Sequence, residues 1–207
     1  MLRPMSGANG TGTDPSQDPE ARLTVVGALR MVRFLPVLEV SALPVIDEVQ
    51  AIVMSRGRDP YTNVERDAAT VRRWADVGED ITQDTDSPEY LQLIACDITL
   101  AVAGTDWTED IRKDHIEIET LAFWQTCDDL VHHVDGYSLP VFRGIKTTLQ
   151  GVEDIWRERD WAAVTSGVPL SQAFETVYRQ IENSIVKRRE IALAVGRCAG
   201  WIESEVA

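Results

Sequence analysis

The placement of proline and glycine constrains this chain more than any other feature. Breaks are read at Pro36, Pro44, Gly57, Gly78, Pro88, Gly104, Gly136, Pro140, Gly167 and Pro169. Most of the intervals between them suit helices, since strands are usually shorter. Proline lacks the amide proton that an interior helical turn needs, and glycine readily takes the left-handed conformation that closes a helix. Within the intervals apolar residues recur at three- and four-residue steps. The reading is an all-α chain, a helical bundle of about six to seven helices, over roughly 20–35, 44–55, 62–77, 86–104, 106–134, 138–161 and 170–203. Long helices joined by short turns give antiparallel neighbours, hence a bundle. Residues 1–19 lack periodicity and are expected to form a disordered tail, with 20–207 a single helical domain. The β-rich wording VLEVSALPVI, residues 37–46, leaves a short strand as the alternative there.

The last segment carries the clearest stripe: Phe174, Val177, Ile181, Ile191, Val195, Cys198 and Ile202, interrupted by Ser184 and Arg188. If Arg188 points inward, a carboxylate on a facing helix is expected, because an unpaired buried guanidinium is costly. Gly196 and Gly200 are candidates for close helix approach.

Charge narrows the function. The 207 residues hold 34 acids against 20 basic side chains, a net charge of −14, and only Lys113, Lys146 and Lys187 are lysines. Nucleic-acid affinity comes largely from cations that displace condensed counterions, so no nucleic-acid partner is expected. The run Lys187-Arg188-Arg189 is flanked by Glu182 and Glu190 and reads as a charged helix face. The apolar stretch from Leu23 to Met54 is broken by Arg30, Arg33, Glu39, Asp47 and Glu48, which makes it a buried element and not a membrane span. With no apolar leader and three scattered cysteines (Cys96, Cys127, Cys198), a cytoplasmic location with buried free thiols is expected. Of the six tryptophans, Trp156 and Trp161 are the best interface candidates.

All three histidines fall in the segment 106–134. At 100° per residue, His115, Glu119, Thr126, Asp129 and His133 share a strip about 80° wide, opposite a broad apolar face. Imidazole and carboxylate four residues apart can bind a divalent metal or work as a proton-transfer pair. His115, Glu119, Asp129 and His133 are therefore the candidate metal ligands, and a divalent metal is the one cofactor the residues suggest. His115 and His133 lie about 27 Å apart along a helix, so they can form only two half-sites, each completed by other helices. Asp129-x-x-His132 has the spacing of helical di-metal ligands, but it occurs once where two are expected. The competing reading makes the strip the solvated side of an amphipathic helix. A second acidic cluster, Glu79, Asp80, Asp84 and Asp86, has the wrong spacing relative to Asp128-Asp129 for a diphosphate–magnesium enzyme and reads as capping and surface charge. Glycine-rich phosphate loops, nucleophile elbows and H-E-x-x-H are absent from the sequence.

The leading expectation is a helical interaction, regulatory or adaptor-type protein acting through protein contacts, with a protein partner or a second copy of itself. The alternative is a helical-bundle enzyme or ligand-binding protein using the carboxylate/His strip.

Overall fold

The computed structural model describes residues 17–41, 43, 45–78, 90–104, 108–132, 141–142, 145–146 and 148–202. Among them are eight helices: α1 (Pro19–Val40), α2 (Ile46–Arg58), α3 (Val64–Gly78), α4 (Tyr90–Ala103), α5 (Glu109–His132), α6 (Leu149–Val164), α7 (Leu170–Glu182) and α8 (Ile185–Cys198). The chain is all-α apart from two two-residue strands, β1 (Val141–Phe142) and β2 (Ile145–Lys146), which pair antiparallel with Val141 opposite Lys146. No helix among the described residues is long and apolar enough to cross a membrane.

Helix α1 is the axle. It starts at Pro19, with the Asp18 carboxylate accepting from the Glu20 amide at 3.0 Å. From Ala21 to Leu38 nearly every side chain is buried, because α2, α4, α5, α6, α7 and α8 all pack around it. A helix apolar on every side needs such a surround. Local rules place the end of α1 before Pro36, yet the helix runs through it to Val40. The proline ring removes one backbone bond, a loss of about 3 kcal/mol. Beyond it Val37 and Leu38 are fully buried, each gaining about 1.5–3 kcal/mol. Burial outweighs the missing bond, and the strand alternative for this region falls with it.

Two other boundaries differ. The segment read as one helix over 170–203 is broken at Asn183–Ser184, where the Ser184 hydroxyl donates to the Ile181 carbonyl at 2.7 Å and competes with the helical pattern. The helix expected from 138 begins only at Leu149, after the small hairpin, with Thr148 as N-cap accepting from the Gly151 amide at 3.0 Å. A second cap comes from across the bundle. Asp128 on α5 accepts from the Leu149 and Gln150 amides at 2.8 and 3.1 Å. The C-terminal end of α4 is closed by buried arginines. Arg112 donates to the Ala101 carbonyl at 3.0 and 2.8 Å, and Arg56 to that of Val102 at 3.3 Å. These cations satisfy carbonyls that no further helical turn can reach. Gly196 does allow a close approach, since a Cβ there would run into the Val40 side chain on α1. A Cβ at Gly200 would meet nothing within 4 Å, and its φ of 73° assigns it to the turn that follows α8.

Candidate functional site

The predicted strip on α5 is only partly assembled. His115 and Glu119 are half-buried, and Asp97 from α4 joins them. Burial raises the carboxyl groups of both Asp97 and Glu119, the His115 charge opposes this, and Asp97 further raises Glu119. The three groups, on two helices, are near enough to act on one another's charge. The rest of the strip does not follow. Asp129 is exposed, and His132 is exposed with Nδ1 donating to the Asp128 carbonyl of its own helix at 2.8 Å. His133, Trp107 and the cluster Glu79, Asp80, Asp84 and Asp86 lie outside the described residues. Among the described residues, no group of three or more His, Cys, Asp and Glu is arranged to hold a metal ion. Asp128 works as the cap of α6, a role no local pattern indicates. Cys127 is fully buried, while Cys96 and Cys198 are half-buried, and all three are free. Burial pushes the Cys96 thiol up to about 12 and raises the other two, which leaves no thiolate nucleophile.

The stronger constellation lies around α1. Arg33 is buried inside the bundle and makes a two-pronged contact with each of two carboxylates on α6. It reaches Glu153 through Nε at 2.8 Å and through Nη2, and Asp160 through Nη1 at 3.1 Å and Nη2 at 2.7 Å. The Trp124 indole donates to Glu153 at 3.0 Å, and Arg33 also reaches the Leu29 carbonyl at 3.2 Å. Burial would lower the Arg33 pKa, but Asp160 and Glu153 hold it above the ordinary arginine value. Asp160 is pushed up to about 6 by burial, against the pull of Arg33. One turn back along α1, the buried Arg30 pairs with Glu117 of α5, which also pairs with Arg157. Glu117 is raised by burial, yet Arg30 and then Arg157 bring it below its ordinary value. Glu153, Trp156 and Asp160 recur at three and four residues on α6. That spacing is visible in the sequence, but nothing there ties it to Arg33.

Arg188 on α8 completes the group and breaks its rule. Arg30, Arg33 and Arg157 each have a carboxylate in contact, whereas Arg188 forms no ion pair among the described residues. Its Nε donates to the Ser184 hydroxyl at 3.1 Å, its guanidinium lies 5.8 Å from the centre of the Trp156 ring, and its Nη1 has no hydrogen-bond partner. Trp156 is buried, so it serves as a platform for Arg33, Arg159 and Arg188 and not as an interface anchor. Burial and the like charge of Arg33 bring Arg188 down to about 9. Glu153 and Asp160 are near enough to act on its charge, but both are engaged by Arg33. Among the described residues, the carboxylate partner expected for an inward Arg188 is therefore not supplied by a direct contact.

Arg188 opens onto a cleft of about 220 Å³ between α1, α2, α7 and α8. The floor is buried and apolar: Val32, Leu35 and Ile181. Pro36, Met54, Tyr178 and Arg188 form half-buried walls, and Glu39, Gln50, Glu182 and Arg189 stand exposed at the rim. The cleft is smaller than the roughly 300–1,000 Å³ of most small-molecule sites, and its accessible lining is more polar than apolar. Fold and cleft together define a helical bundle with a buried arginine–carboxylate centre and one desolvated arginine facing a small cavity. Comparison with protein-family models, with curated proteins and with solved structures finds no match.

Proposed function

We propose that the chain is a ligand-binding helical protein, and that its ligand carries an anionic group that pairs with Arg188. The observation that carries this is that Arg188, which lines the cleft, forms no ion pair among the described residues, while its Nη1 is buried with no hydrogen-bond partner among them. A half-buried guanidinium with no ion pair leaves desolvation uncompensated, and an incoming carboxylate or phosphate supplies the missing acceptor through charge-assisted bonds. At about 9 its pKa keeps Arg188 charged at neutral pH. Isothermal titration with small carboxylates and phosphates that carry an apolar body tests the proposal. Saturable binding that weakens at least about tenfold in Arg188→Gln is expected, since a charge-assisted bond contributes roughly 1.5–3 kcal/mol. Binding indifferent to Arg188, or none across the set, overturns it.

A second reading, an adaptor acting through protein contacts, draws on α5. Ile111 and Ile118 stand two turns apart on that helix, 55% and 62% exposed. Light scattering across a concentration series checks its self-association form. A dimer that Ile118→Glu dissolves supports it, and a monomer at every concentration removes it.

A further inference from the structure

The cleft says more about its ligand than the sign of one group. Its charged lining is even, with Arg188 and Arg189 against Glu39 and Glu182. Arg188 is half-buried in the wall, whereas both carboxylates stand at the exposed rim together with Arg189. Glu182 is near enough to Arg188 and to Tyr178 to act on their charge. A plain carboxylate would satisfy Arg188 but set its own charge close to Glu182. A dianion would meet repulsion from both rim acids.

The site therefore offers one half-buried guanidinium, with two carboxylates and a second guanidinium at its rim. Space limits the rest. At the roughly 30 Å³ that a water molecule takes in the liquid, the cleft has room for about seven water-sized groups, which restricts it to a small ligand. Val32, Leu35 and Ile181 give that ligand an aliphatic surface to cover.

Building on the proposal that Arg188 takes an anion, we infer that the ligand is a free α-amino acid with an aliphatic side chain. Its carboxylate sits on Arg188, its ammonium faces Glu182 and Glu39, and its side chain lies on the apolar floor. Adjacent opposite charges on the ligand then match Arg188 in the wall and the two acids at the rim.

The experiment is a calorimetric titration of the full chain with three probes sharing one skeleton: L-leucine, 4-methylpentanoate without the ammonium, and 3-methylbutylamine without the carboxylate. Leucine is expected to bind about fivefold or more tighter than 4-methylpentanoate, the size of one well-placed exposed ion pair. Glu182→Gln, a change at an exposed position, is expected to bring leucine down to the affinity of the carboxylic acid. Arg188→Gln is expected to lose both. If 4-methylpentanoate binds as tightly as leucine, the amino acid is refuted while the anion site stands. If neither binds, both readings fall. If the amine binds alone, the acids and not Arg188 recognise the ligand, and both readings fall again.

Discussion

Replacing Arg33 with methionine tests the account of the bundle's centre. The change keeps a long apolar side chain inside α1 but removes every bond that Arg33 makes to Glu153 and Asp160. Both carboxylates are almost wholly buried, so neither can turn to water. Removing one partner of a buried ion pair costs about 3–5 kcal/mol, mostly as the penalty of the charge left behind. For a chain of this length, that corresponds to a fall in melting temperature of about 6–20 °C. The triple change Arg33→Met, Glu153→Gln, Asp160→Asn removes the stranded charges, and the amide oxygen introduced on α6 would still accept from the Trp124 indole. It is expected to recover most of the loss. The stranded acids also take up protons, so the deficit of the single variant should shrink as pH falls from 7 to 5. Thermal melts followed by circular dichroism at both pH values give all of these numbers. A single variant within about 1 kcal/mol of the parent, or a triple variant no better than the single, refutes the claim that the carboxylates depend on Arg33.

The same geometry sets two further outcomes. Asp160 has its pKa raised to about 6 in the folded chain, above its ordinary value of 3.8, so its contribution is fully present below about pH 4 and lost as pH rises through about 6. The melting temperature of the parent relative to Asp160→Asn should therefore fall over that window, and a flat or rising difference would contradict it. Asp128→Ala removes the acceptor of two amides at the start of α6 and should cost about 0.5–2 kcal/mol in urea unfolding, whereas the exposed Asp129→Ala should stay within about 0.5 kcal/mol.

Much of the architecture is legible in the sequence because its signals are local. Glycine stops mark the ends of α2, α3 and α4 to within a residue or two, and Gly104 has φ 77°. Pro36 misleads because a local rule meets a non-local force, the burial of Val37 and Leu38 on all sides. The break at Ser184 is marked by an interruption in the apolar stripe, yet periodicity alone does not separate a polar interruption from a turn. The site is less legible. Arg30 and Arg33 are visible only as charges within an apolar run, and their partners stand 87, 120 and 127 residues further along. One sequence carries no record of such pairings. The α5 strip, by contrast, is conspicuous in sequence because histidines are rare here, and rarity says nothing about whether Asp129 is covered.

The choice of arginine over lysine at position 188 bears on how the cleft works. A guanidinium starts near 12.5, so even the desolvation and repulsion that bring Arg188 down to about 9 leave it charged at neutral pH. A lysine ammonium starts near 10.4, so the same desolvation and repulsion lower it from a value already closer to neutrality. In Arg188→Lys the anchoring charge should therefore be lost at lower pH than in the parent. As pH is raised, affinity for 4-methylpentanoate should fall earlier in that variant, while the parent stays level until about 9. The parent and the variant share the sign of the charge and the apolar floor, so a difference between their pH profiles isolates the burial of the cation. Parallel profiles would mean that Arg188 meets its ligand in water, and the cleft would then have no claim on an anion beyond that of any exposed arginine.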